Sequence, residues 1–184
     1  EALTYAWQQN IIHRNVNPNN ILADGDVLKI CNLGFSKVLE SDLEVTQEGQ
    51  SVGTPQFMSP EQFEEQEELD YRTDIYSLGI TFYMMLTGHL PFTATTRIGL
   101  AQAHLGKQPI PLEKFNVAVS KQTRALLNKM LEKDRTKRSK EIPELLENIR
   151  RIRQGKSPRQ STSPFPLWRI TSYAALAITV ALNV

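Results

Sequence analysis

"HRNVNPNN", residues 13–20, lies between two apolar pairs, Ile11-Ile12 and Ile21-Leu22. Four of its eight residues are asparagine, with one proline and one arginine. A polar loop clamped between buried anchors commonly presents its side chains to a ligand. Asparagine, however, neither takes a proton nor carries a charge. The loop has the setting of a catalytic segment and no acid in it.

The surroundings place that loop in a mainly helical chain. Residues 1–9 read as the end of a helix. Ile21-Leu22-Ala23, then Asp24-Gly25, then Val27 to Ile30 predicts a β-hairpin with Asp-Gly at the turn. Residues 32–60 have little periodicity and carry Gly, Ser, Thr and Pro; loops of that length are functional or disordered. Asp74 to Leu86, "DIYSLGITFYMML", is nearly all apolar and predicts a buried helix, ended by Thr87-Gly88 with Pro91 beyond. Further helices are predicted over Thr95–Leu105, Ser120–Lys133 and Ser139–Arg153. The second of these puts Ala125, Leu126, Leu127, Met130 and Leu131 on one face. The third accommodates Pro143 only in its first turn. The expected fold class is mainly α, with one small hairpin and one long loop near the N-terminus.

Length and composition set the frame. The 184 residues suit one domain of moderate size. A net charge of +1 argues neither for nor against nucleic acid, and no nucleic-acid partner is expected. A single cysteine, Cys31, excludes an internal disulfide framework. The chain opens in the middle of an amphipathic pattern with no initiator methionine and no signal peptide, so the start reads as a cut.

From Arg150 to Arg169 there are six basic residues and no acidic ones. Pro158, Pro164 and Pro166 exclude a helix there, and 154–166 reads as a Ser/Pro-rich basic linker. Ile170 to Val184 carries no charge over fifteen residues, short of the roughly 20 that a membrane span needs. Residues 167–184 are expected to begin a truncated transmembrane helix. Trp168 and Arg169 stand where interface anchors belong, and the basic linker satisfies the positive-inside rule. The expected location is the cell membrane, single-pass, with residues 1–153 cytoplasmic. The alternative is a buried C-terminal helix.

Five local sequences, in order, resemble the C-terminal lobe of the protein kinase fold. His13-Arg14-Asn15 followed by Asn20 resembles the catalytic loop H-R-D-x-x-x-x-N. Asn32-Leu33-Gly34 sits where D-F-G belongs. "GTPQFMSPEQ", Gly53 to Gln62, is similar to the segment ending in A-P-E, here Ser59-Pro60-Glu61. "DIYSLG", Asp74 to Gly79, resembles the start of the family's central helix, and "DRTKRS", Asp134 to Ser139, its late arginine motif. The whole most resembles bacterial serine/threonine kinases, which often carry one membrane span after the kinase domain. The match covers about residues 1–153. The Gly-rich loop, the V-A-I-K lysine and the helix C glutamate are not among these residues; the resemblance assigns them to an N-lobe ahead of Glu1.

The resemblance also implies roles. Phosphoryl transfer asks this lobe for a base, metal ligands and a cation. Asn15 stands at the base position, Asn17 at the catalytic-loop lysine and Asn32 at the main Mg²⁺ ligand. Asn20 matches the second metal ligand, and Thr54 the threonine that contacts the base region. Mg²⁺ prefers carboxylate oxygen, so ATP and Mg²⁺, the family's cofactors, should bind poorly here. The implied function is a pseudokinase in membrane-anchored signalling or scaffolding, with protein partners. The alternative is an active transmembrane serine/threonine kinase that transfers the ATP γ-phosphate to protein substrates through an unusual metal site or a relocated residue.

The scaffold positions read differently. Glu61 and Arg138 match the family's buried ion pair, and Asp74 the residue that holds the catalytic-loop backbone. His13 is a structural histidine, and Gly34 gives freedom after the metal position. Arg14 fits a receiver for phosphate on the long loop, with Thr46 and Ser51 as candidate phosphosites; alternatively it caps the loop. Cys31 reads as a packed strand residue, His89 and His104 belong to no motif, and Glu64 to Asp70 as a solvated face.

Overall fold

The computed structural model of the chain describes residues 2–25, 27–33, 37–38, 54–139 and 142–158. Gly34, Thr46, Ser51, most of the basic linker and the expected span at 167–184 lie outside them. Helix α1, Ala2–Gln8, leads into strand β1, Ile11–Ile12, and then into the asparagine-rich loop. Strands β2, Ile21–Asp24, and β3, Val27–Ile30, form the antiparallel hairpin, with Ile21 opposite Ile30 and Asp24 opposite Val27. Gly25 turns it at φ 58°, a value glycine adopts without strain. A second antiparallel ladder pairs β1 with β4, Lys37–Val38. Two-residue strands carry no readable period, and the sequence predicts only the hairpin.

The remainder is helical. A 3₁₀ turn at Pro55–Phe57 precedes the short helix α2, Pro60–Phe63. Helix α3, Arg72–Thr87, ends on Gly88 at φ 74°, whose N–H bonds the Met84 carbonyl at 2.8 Å. Helices α4, Arg97–Gly106, and α5, Lys121–Met130, are capped by Thr96 and Ser120, whose hydroxyls accept the Gly99 and Thr123 N–H groups. Helix α6, Ile142–Arg153, carries Pro143 at its second position, where no intrahelical N–H is needed.

The core is built around α3, nine of whose residues are buried. Tyr76, Ile80 and Tyr83 pack with Phe57, Phe92, Leu100, Leu127 and Leu131. Ile75 packs on another side with Tyr71, Leu126, Met130 and Leu145. A helix enclosed on several faces must be apolar nearly all round, and in "ITFYMML" Met85 alone is exposed, at 72%. Gly79 permits close approach to α5: a Cβ there would sit 3.0 Å from both Met130 Cβ and Leu131 Cδ2.

In contrast, the hairpin leaves Leu22, Val27 and Leu28 each more than half exposed, with Leu33 just beyond at 50%. The acidic run is exposed from Glu64 to Glu68, while Leu69 is buried. Among the described residues no helix is long and apolar enough to cross a membrane.

Candidate active site

Loop 13–20 is fixed from α3. Asp74, in the first turn of that helix, accepts the His13 N–H at 2.9 Å on one carboxylate oxygen and the Arg14 N–H at 2.8 Å on the other. Burial pushes the Asp74 carboxyl up to about 6 against the pull of those two bonds. The His13 ring is fully buried between the Cys31 carbonyl, 3.0 Å from Nε2, and the Asn15 N–H, 3.3 Å from Nδ1. With the Asn15 N–H donated to Nδ1, it is the Nε2 N–H that donates to the Cys31 carbonyl. His13 therefore ties the loop to the residue just after β3, and Cys31 takes part through its backbone.

Arg14 adopts φ 65°, a left-handed conformation uncommon for a non-glycine residue. Its peptide is held on both sides: its N–H by Asp74, and its carbonyl by Gln62 Nε2 at 2.9 Å. Gln62 Oε1 at the same time accepts the Ser59 N–H at 3.0 Å, closing the start of α2. One glutamine thus joins the Ser59-Pro60-Glu61 segment to the catalytic loop. Among the described residues the Arg14 Nε has no hydrogen-bond partner. Burial lowers the affinity of its guanidinium for a proton, and Asp74 opposes that.

Asn15, Asn17, Asn19, Asn20 and Asn32 form one network. Asn15, Asn17 and Asn20 are buried. Asn17 Nδ2 donates to the Asn15 carbonyl and to Asn15 Oδ1, both at 3.0 Å. Asn17 Oδ1 accepts the Asn19 N–H at 3.0 Å and so caps the 3₁₀ turn Pro18–Asn20. Asn15 Oδ1 also accepts the Thr54 N–H at 3.1 Å, so Thr54 meets the base position through its backbone. Asn20 Nδ2 donates to the Asn15 carbonyl at 2.8 Å, and Asn32 Nδ2 reaches Asn20 Oδ1 at 3.4 Å.

A separate buried centre lies behind α2. Arg138 Nη1 and Nη2 bond Glu61 Oε1 and Oε2 at 2.6 and 2.9 Å, and both side chains are essentially inaccessible. Burial works against the Glu61 charge, but the Arg138 hydrogen bonds and charge outweigh it, and the carboxyl sits below its ordinary value. Thr73 Oγ1 adds a third bond to Glu61 at 3.0 Å.

Chemically, the site offers amide oxygens and amide N–H groups where phosphoryl transfer uses charge. Among the described residues no group of three or more His, Cys, Asp or Glu is placed to hold a metal ion. The two positions that the resemblance gives to Mg²⁺, Asn20 and Asn32, supply neutral oxygens, and the network already engages one of them. This donor set does not fit a hard divalent cation.

The profile of the protein kinase domain matches residues 1–148, and the chain belongs to that family. Its relatives place it in the bacterial serine/threonine branch. It is 32% identical over 159 residues to serine/threonine-protein kinase PknB of Mycobacterium leprae, covering 86% of this chain and 25% of that protein. The PknB of Mycolicibacterium smegmatis is likewise 32% identical over 160 residues, 86% and 25%. A serine/threonine-protein kinase of Corynebacterium efficiens is 34% identical over 164 residues, 89% of this chain and 31% of that protein. The chain thus spans a quarter to a third of the length of these curated relatives. Protein kinases in general use ATP and Mg²⁺.

Two features of the site escape the motif reading. Gln62 carries a visible sign, the S-x-x-Q spacing of a capping box at Ser59–Gln62. His104 shows none. It is fully buried with Nδ1 3.1 Å from the Tyr76 hydroxyl, and Lys133 Nζ lies 3.2 Å from the same oxygen.

Proposed function

We propose that this is a pseudokinase lobe, which engages protein partners in signalling or scaffolding and does not transfer phosphate. One observation carries the reading: the base, lysine and main metal positions are all asparagine, joined through Asn20 into one network around loop 13–20. Phosphoryl transfer depends mainly on positioned charge. General base catalysis alone is worth about 10²–10⁴-fold, and an amide supplies none of it. The retained Glu61–Arg138 pair and the Asp74 anchor support a folded lobe kept for its surface rather than for its chemistry.

The lobe is anchored to the cell membrane through residues 167–184, on the cytoplasmic side, with the basic linker in support. Resistance of the full-length protein to carbonate extraction is the expected result; release would show that Ile170–Val184 is no anchor. Arg14 receives a phosphate placed on the long loop at Thr46 or Ser51, a role supported by its buried Nε, which has no hydrogen-bond partner among the described residues.

The decisive experiment measures γ-phosphate transfer by the full-length protein in Mg²⁺. None above background is expected. Each single reversion should recover little, because the three positions act together. The combined Asn15→Asp, Asn17→Lys, Asn32→Asp protein should transfer measurably if its N-lobe keeps the glycine loop and lysine. Substantial activity in the unmodified protein, abolished by Asn32→Ala, would overturn the proposal. That result would favour the second reading, an active serine/threonine kinase, which the names of the relatives support.

A further inference from the structure

The amides at the two metal positions are oriented by their surroundings. Asn20 Nδ2 is committed to the Asn15 carbonyl at 2.8 Å, so Asn20 Oδ1 faces Asn32. The atom of Asn32 that meets it at 3.4 Å is Nδ2. An Asn32 amide turned the other way would bring two acceptors together with no proton between them. Asn32 presents this donor from φ 69°, a left-handed conformation that asparagine tolerates better than most residues.

The three positions are therefore not equivalent. Asn15 meets its side-chain partners through Oδ1, as an acceptor of the Asn17 amide and the Thr54 N–H, and an aspartate would accept both bonds equally well. Asn32 acts as a donor, which an ionised aspartate cannot be. Asparagine at 32 supplies a proton in the place where the family supplies a cation.

We infer that the Asn20–Asn32 amide pair stands in for the divalent ion as the side-chain link between the two metal positions, beside the Cys31 bonds to His13 Nε2 and to the Asn20 carbonyl, both at 3.0 Å, so that the site keeps its geometry without metal. This rests on the non-catalytic reading above. It turns the asparagine at 32 from a lost ligand into a working part.

Thermal melting of the full-length protein in EDTA and in millimolar MgCl₂ tests it. The wild type should melt at the same temperature in both. Asn32→Asp should melt lower in EDTA by about 2–4 °C, the shift expected for one hydrogen bond, and MgCl₂ should restore it. Asn15→Asp, which keeps both accepted bonds, should gain nothing from MgCl₂, and so controls for added negative charge in the loop. A wild type stabilised by MgCl₂, an Asn32→Asp protein as stable as wild type in EDTA, or a loss that MgCl₂ leaves unrepaired would each overturn the inference. None of these readouts is phosphate transfer. A failure here leaves the non-catalytic reading standing, and wild-type transfer would sink that reading in a different assay.

Discussion

Replacing Arg138 by leucine should be among the most damaging single changes in this lobe. The guanidinium uses all five of its N–H groups. Nε bonds the Glu132 carbonyl at 2.8 Å, Nη1 bonds Glu61 and the Arg72 carbonyl at 2.6 and 3.0 Å, and Nη2 bonds Glu61 and the Lys133 carbonyl at 2.9 and 3.1 Å. Leucine leaves three carbonyls without these donors and leaves the buried Glu61 charge to the Thr73 hydroxyl and the Glu61 N–H. Breaking a buried pair from one side costs roughly 3–5 kcal/mol. At about 2–4 °C per kcal/mol for a domain of this size, the melting temperature should fall by roughly 6–20 °C.

The loss should also depend on pH in a particular sense. In the wild type the folded-state pKa of Glu61 lies below its ordinary 4.5. Its stabilisation is therefore present above 4.5 and is lost as pH falls through the folded value. Without Arg138, the Thr73 and Glu61 N–H bonds alone oppose burial, the largest influence on this carboxyl, so the Glu61 pKa should rise above 4.5 and the variant should regain stability on acidification. The gap between wild type and Arg138→Leu should be widest near neutral pH and should narrow towards about pH 5. Adding Glu61→Gln removes the stranded charge, so the double variant should be more stable than Arg138→Leu alone. Denaturant melts of the wild type, the two single variants and the double variant at both pH values measure this. A loss under about 1 kcal/mol, a gap indifferent to pH, or simple additivity of the two substitutions would refute the reasoning.

Two further outcomes follow from the core. Gly79→Val should destabilise by about 1–3 kcal/mol, because its side chain must displace Met130 and Leu131 where even a Cβ sits at 3.0 Å; an unchanged denaturation midpoint would show that α5 gives way freely. Burial and the charge of Lys133 hold His104 down to about 3, well below its ordinary 6.5. The stability it contributes is full above 6.5 and declines as pH falls towards 3, so His104→Phe should flatten the acid loss of stability across that window, and an unchanged pH profile would exclude His104 as its source.

How far the sequence could be read depended on whether a residue's partners are local. The helices are legible because each carries its own period, cap or stop, as Ser120 and Gly88 do. The hairpin is legible because Asp24-Gly25 names its turn. The β1–β4 ladder is not, since two residues on each strand have no pattern and their pairing spans the whole loop. Among the site residues, Glu61, Asp74 and Arg138 are legible through family motifs, although their partners lie far along the chain. The hydrogen bond from Gln62 to the Arg14 carbonyl is not, because its 48-residue separation leaves no local trace.

The asparagines show the limit most clearly. Against a family motif, each registers as something missing: a carboxylate at 15, an ammonium at 17, a metal ligand at 32. In three dimensions each is occupied. Asn17, nearly inaccessible, donates to Asn15 with one end and caps the following turn with the other. A lysine there would lose that cap, at a cost of about 0.5–2 kcal/mol. An aspartate at 15 would keep its bonds, and an aspartate at 32 would lose its donor. Restoring the family's charges is therefore three different perturbations of the fold, and loop 13–20 is held together by the asparagines that stand at those positions.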